Sequence, residues 1–103
     1  MTFGFYPAAE QEYLESARYY DEQGEDLDDY FVRDIEATIA KILQNPFTWR
    51  KISRHAHRCL ASNFPYGVIY AVEDEHITIL AVAHFRRKPG YWQGRVRRWK
   101  AGM

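Results

Sequence analysis

Hydrophobic and polar positions divide the chain into a helical first half and a second half made of strands. Over residues 8–23, apolar side chains recur at helical spacing against a Glu-rich face, which predicts an amphipathic helix with Pro7 at its first position. A second helical stripe follows Gly24 and ends at Asn45-Pro46, because the residue before proline is driven out of the helical region. Asp26 stands where the cap of this second helix is expected. The two helices should form an antiparallel hairpin.

Apolar runs of strand length replace the helical period in the second half. They predict strands at His57 to Phe64, Tyr66 to Glu73 and His76 to His84, and a further short strand is predicted at Thr2 to Tyr6. The last two strands are apolar on both faces, which is typical of central strands covered on both sides. The predicted fold is therefore α+β in the order β-α-α-β-β-β, with the helical hairpin packed on an antiparallel sheet.

Length and composition predict one soluble domain. The chain has 103 residues, of which 47% are hydrophobic, enough to close a single core. We therefore expect one domain over residues 1–103, in which residues 93–103 form a polar, basic tail that frays. The single cysteine, Cys59, allows no internal disulfide, and neither a signal peptide nor a membrane span is apparent. We expect a cytoplasmic protein that does not associate with membranes.

The formal net charge of zero conceals a division between the two halves of the chain. Residues 1–49 hold 3 basic and 11 acidic residues, whereas residues 50–103 hold 11 basic and 3 acidic ones. If the fold keeps the halves on separate faces, the basic face will attract a polyanion or an acidic protein. The alternative is that the two halves neutralise each other within the folded chain.

Several short motifs together resemble one protein family. They are Tyr6-Pro7-Ala8-Ala9-Glu10, Phe64-Pro65-Tyr66, Ala81-Val82-Ala83-His84 and Pro89-Gly90-Tyr91-Trp92. This combination is similar to the signature of the RelE/ParE superfamily of toxins, in particular its plasmid-stabilisation branch. The resemblance extends from about Thr2 to Trp92. It implies the same β-α-α-β-β-β layout that the hydrophobic pattern predicts independently.

The resemblance implies the toxin of a type II toxin-antitoxin system, held inactive by a cognate antitoxin whose disordered segment folds on binding. Three functions remain open. ParE-like members poison DNA gyrase, RelE-like members cleave mRNA on the ribosome, and a binding module on the same fold would not be toxic. We prefer the ParE-like function, because RelE-like nucleases carry a denser set of lysines and arginines.

Candidate site residues cluster around the end of the last predicted strand. RNA cleavage through the 2′-hydroxyl needs a base, an acid and a cation beside the phosphate. In a RelE-like protein, His84 and Tyr91 would move protons and Arg86 and Arg87 would hold the phosphate. The residues expected to bind nucleic acid or the target are Arg54, Arg58, Arg86, Arg87, Lys88 and Trp92. The alternative is that His84 ends a strand and the cations form a solvated turn.

Other residues belong to types that often bind metals, act as nucleophiles or contact ligands, but they also fit structural roles. His55 and His57 share one side of a strand, but no third ligand follows at a fixed spacing, so we expect neither a metal nor a cofactor. Cys59 is expected in the core rather than as a nucleophile. Near the C-terminus, Trp99 stands among four cations, a composition typical of a surface that stacks on bases or binds an acidic peptide: Arg95, Arg97, Arg98 and Lys100. The alternative is a tail that keeps the protein soluble.

Overall fold

The structure is a computed structural model that describes residues 1–102. Within them lie, in order, β1 (Thr2–Phe5), α1 (Pro7–Gln23), α2 (Leu27–Gln44), β2 (Arg50–Lys51), β3 (His57–Leu60), β4 (Tyr66–Glu73), β5 (His76–His84) and α3 (Gln93–Ala101). The α+β class and the β-α-α-β-β-β order are confirmed, with β2 and α3 as additions. None of the helices in this part of the chain has the length and apolar character needed to cross a bilayer.

The five strands form one sheet in the order β1-β5-β4-β3-β2. β5, β4, β3 and β2 pair antiparallel, whereas β1 runs parallel to β5 from the Thr2–His76 pair to the Phe5–Ile79 pair. The sheet is thus mixed, which differs from the antiparallel sheet that we predicted. Tight turns force consecutive strands to run antiparallel, but no turn joins β1 to β5, so local sequence does not set the direction of β1.

The start of α1 and the turn between the two helices follow from local sequence. α1 begins at Pro7, as predicted, since proline lacks only an N–H that the first turn leaves unpaired anyway. Asp26 precedes α2 as predicted, but it has a φ of 62° and its side chain makes no capping hydrogen bond. Aspartate tolerates this left-handed conformation better than most residues, so Asp26 serves the turn between the helices instead of capping α2.

α1 and α2 cover one face of the sheet and bury an aromatic cluster. Phe31 is fully buried, and its ring centroid lies 5.1 Å from Tyr20, 5.4 Å from Phe64 and 4.9 Å from Tyr66. Aromatic pairs at these distances add to the stability gained from burial alone. Phe31 lies within this core, and Tyr20 is partly buried against it.

Cys59 lies in the same core and is only 1% exposed. Burial raises the pKa of its thiol, so the reactive thiolate is scarce at neutral pH. We expect a thiol-specific reagent to modify Cys59 slowly in the native protein and rapidly in denaturant, which a colorimetric thiol assay measures. Rapid modification of the native protein would contradict the core position.

α3 covers the opposite face of the sheet. Trp92, just before α3, and Val96 and Trp99 within it pack against the second core cluster, which contains Ile69 and Leu80. The segment that we predicted to be a frayed tail is therefore a packed helix through Ala101, and Met103 lies outside the described residues. The reason is that β4 and β5 are apolar on both faces, and the predicted hairpin covers only one of them.

The strand expected from His57 to Phe64 ends at Leu60 because the next residues turn toward α2. The buried Asp34 carboxylate accepts hydrogen bonds from three consecutive backbone N–H groups, at 3.2, 3.0 and 2.8 Å: those of Ser62, Asn63 and Phe64. Backbone N–H groups that donate to this carboxylate cannot also pair with a neighbouring strand. Asp34 thus converts the end of the expected strand into a loop fixed against α2.

Candidate functional site

The charge division of the sequence becomes a division between two faces of the molecule. The acidic helices α1 and α2 lie on one side of the sheet and the basic α3 on the other. In residues 1–102 the ion pairs all involve Glu12, which lies 2.8 Å from Arg95 and 3.6 Å from Arg87. The alternative that the two halves neutralise each other therefore applies only to these two arginines.

A cleft of about 520 Å³ opens on the basic face, between the end of β5 and the start of α3. It brings together six of the eight residues that the sequence analysis named: Arg58, His84, Arg87, Lys88, Tyr91 and Trp92. Arg54 and Arg86 do not line it. Trp92 is only 6% exposed, so it forms a wall of the cleft and leaves little surface for a ligand.

Small residues on the central strands give the cleft its depth. Gly67 and Ala83 are directly opposite each other on β4 and β5, and both line the cleft. A side-chain carbon at Gly67 would lie 3.1 Å from Cδ of Arg58, so glycine allows the arginine stem to cross the strand. Sequence reasoning missed this floor, although the glycine beside the start of the apolar run of β4 is a usable signal.

His84 is the last residue of β5, and one of its ring nitrogens already accepts a hydrogen bond. Its Nδ1 lies 3.0 Å from the backbone nitrogen of Arg86, and its ring packs edge-on against Tyr66 with centroids 5.1 Å apart. Since a backbone N–H can only donate, Nδ1 is the unprotonated nitrogen, and the neutral ring carries its proton on Nε2. Toward a ligand the neutral His84 can offer a hydrogen-bond donor, but no second basic nitrogen.

Tyr91 is held by a carboxylate that the sequence analysis did not single out. Its hydroxyl donates to Oε2 of Glu12 at 2.7 Å, and the guanidinium carbon of Arg87 lies 3.8 Å above its ring centroid. Burial, followed by the hydrogen bond to Glu12, raises the pKa of Tyr91. The phenol therefore stays protonated at neutral pH and cannot act as a base.

Glu12 also connects α1 to β5 and α3. Its carboxylate accepts hydrogen bonds from the backbone N–H of Val82 at 3.0 Å and from both terminal nitrogens of Arg95, at 2.8 and 3.0 Å. Glu12 lies three residues after the buried Ala9, on the side of α1 that meets the sheet. That position was the available signal, since an acid on the buried side of a helix needs partners.

Comparison with known proteins places this architecture in a family. A family model described as "ParE toxin of type II toxin-antitoxin system, parDE" matches residues 5–89. The chain belongs to the ParE toxin family. The resemblance to the RelE/ParE superfamily is thus confirmed. No curated protein matches the sequence.

The fold of this ParE-family toxin is also found in a solved structure, the "Chromosomal ParDE TA system from P. aeruginosa". The TM-score is 0.70 at 16% identity, over 82% of this chain and 95% of that chain. At this identity the likeness shows the fold alone. Because the family match ends at residue 89, Tyr91, Trp92 and α3 follow the matched region, and the cleft combines both parts.

Proposed function

We propose that this ParE-family toxin acts by binding and inhibiting DNA gyrase, and that a cognate antitoxin neutralises it. The observation that supports binding over RNA cleavage is the 2.7 Å hydrogen bond from Tyr91 to Glu12. A nuclease needs side chains that can give and take protons at the substrate. In this cleft the Tyr91 hydroxyl instead donates its proton to the hydrogen bond with Glu12, which stabilises the fold.

The remaining candidates support the same proposal. Nδ1 of His84 already accepts a backbone hydrogen bond, and Arg86 lies outside the cleft. Arg58 and Lys88 contribute cations, which attract an anionic or acidic partner without any transfer of protons. A surface of this kind favours association over catalysis.

The proposal includes an antitoxin segment that covers the cleft. Leu60 and Phe85 are 50% and 57% exposed, and both line the cleft beside Arg58 and Lys88. Exposed apolar side chains ringed by cations are typical of a surface that takes an acidic peptide with apolar anchors. Antitoxin binding would remove this surface from water and from the target.

The decisive experiment compares the two targets with the same purified protein. Incubation with gyrase and relaxed plasmid should reduce supercoiling, and addition of the antitoxin encoded beside the toxin should restore it. Translating ribosomes incubated with the same protein should leave mRNA intact. Cleaved mRNA together with normal supercoiling would replace this proposal by the RelE-like function.

Removal of the Tyr91 hydroxyl by substitution distinguishes gyrase inhibition from RNA cleavage. We expect Tyr91→Phe to retain toxicity within several-fold, because the ring still packs under Arg87 and only the hydrogen bond to Glu12 is lost. Loss of a general acid or base would instead reduce activity by about 10²- to 10⁴-fold. Growth after induction measures toxicity, and the exposed Tyr19 provides the control variant Tyr19→Phe. A hundredfold loss at unchanged thermal stability would indicate catalysis by Tyr91.

A further inference from the structure

A second basic depression lies apart from the cleft, where β2 and the end of β4 meet α3. This crevice has a volume of about 280 Å³, and its lining includes Lys51, Arg54, His55, Glu73 and Trp99. Desolvation, together with the nearby charges of Lys100, Arg54 and Lys51, lowers the pKa of His55. Cations from two segments of the chain, residues 51–54 and α3, therefore surround the crevice, and the carboxylate of Glu73 lies in its lining.

The fold keeps these cations together around a crevice whose lining, in the described part of the chain, includes one carboxylate, that of Glu73. Lys51, Arg54 and Lys100 all lie near His55, and like charges that are held close together repel each other. Within residues 1–102 no carboxylate lies within 4.0 Å of the charged nitrogens of Lys51, Arg54 or Lys100. An anion from outside would relieve this repulsion.

We propose that this crevice, extended by Arg97 on the outer face of α3, binds the phosphate backbone of duplex DNA. Arg97 and Lys100 are both exposed and lie one helical turn apart. Together with Lys51 and Arg54 they supply four cations for contact with backbone phosphates. The inference goes beyond gyrase inhibition, because the ligand is DNA itself.

The side chains of the crevice favour phosphate contact over the alternatives. Single-strand binding relies on bases stacking on accessible aromatic rings. Trp99 is partly buried against the second core cluster and donates its indole N–H to Thr78 at 3.2 Å, which leaves Phe47, 70% exposed, as the more accessible aromatic ring of the crevice. An acidic peptide with apolar anchors suits the cleft, whose floor is apolar, better than this charged crevice.

The test measures binding of a short fluorescent duplex by anisotropy across a series of salt concentrations. Each phosphate contact contributes about 0.9 to the slope of log K against log salt. We expect the double variant Arg54→Gln/Lys100→Gln to bind more weakly and to lower that slope by about 1.8. The matched control Arg18→Gln/Arg33→Gln removes the same charge from exposed positions of α1 and α2, and it should bind like the unmodified toxin.

Three results would overturn the proposal: a duplex affinity that does not depend on salt, equal losses in the two double variants, or tighter binding of a single strand that Phe47→Ala abolishes. The last result would indicate base stacking. Gyrase is absent from the assay, so failure of DNA binding and failure of gyrase inhibition are separate results. A variant that loses duplex binding but still inhibits gyrase would show that the two surfaces act independently.

Discussion

Glu12→Ala is expected to lower the free energy of unfolding by about 3 to 5 kcal/mol, because it leaves a buried charge without its partner. The side chains of Glu12 and Arg95 are each 12% exposed, so water cannot replace the missing carboxylate. The same substitution also removes the acceptor for the Val82 N–H and the Tyr91 hydroxyl. This residue therefore holds α1, β5 and α3 together.

The effect should extend to the cleft. Arg95 also donates to the carbonyl of Leu80 at 3.0 Å, so its position fixes α3 on the sheet. Without Glu12, α3 and Tyr91 lose their attachment to α1, and we expect toxicity to fall together with stability. Urea unfolding measures the stability, and growth after induction measures the toxicity.

A double variant distinguishes a buried-charge effect from simple loss of contacts. Glu12→Gln/Arg95→Met removes both charges but keeps an acceptor oxygen for Val82, so it should recover most of the stability lost in Glu12→Ala. The control Glu22→Ala changes an exposed acid of α1 and should alter stability by no more than about 0.5 kcal/mol. A loss below about 1 kcal/mol for Glu12→Ala would contradict the structural role of Glu12.

Local periodicity was sufficient for the elements that it describes. The stripe containing Phe31 and Ile35 predicted α2, and the apolar runs predicted β4 and β5 with their ends at Glu73 and His84. Periodicity shows which face of an element is buried, but not what covers it. The parallel position of β1 and the layer formed by α3 are long-range properties, so they were beyond this reasoning.

The candidate site was predictable in the part that is contiguous in sequence. His84, Arg87, Lys88 and Tyr91 follow one another at the end of β5, so their proximity in the cleft required no knowledge of the fold. The position of Glu12 on the buried side of α1 indicates an acid that needs partners, but it does not say which partners. Its partner Arg95 lies 83 residues further along the chain, so local sequence could not identify it.

Asp34→Ala is expected to destabilise the protein by a similar amount, about 3 to 5 kcal/mol, because three part-buried backbone N–H groups lose the charged acceptor that they share. Asp34 is only 5% exposed, and the groups that it binds form the loop between β3 and β4. That loop precedes Tyr66, which packs on Phe31 in the aromatic core. Loosening the loop therefore loosens the core beneath it.

Asp34→Asn provides the sharper test, since it keeps the size of the side chain and changes one acceptor oxygen into a donor. The new NH₂ group would face a backbone N–H, so we expect an intermediate loss of about 1 to 3 kcal/mol by urea unfolding. The control Glu36→Ala, at an exposed position of α2, should cost no more than about 0.5 kcal/mol.

Amide hydrogen exchange then locates the effect of Asp34→Asn. Asn63 and Phe64 should exchange faster in this variant, because their N–H groups lose a carboxylate acceptor. Val68 within β4 retains its ladder hydrogen bonds and should exchange only through global unfolding. Unchanged exchange at Asn63 and Phe64 would mean that the loop keeps its shape without the carboxylate.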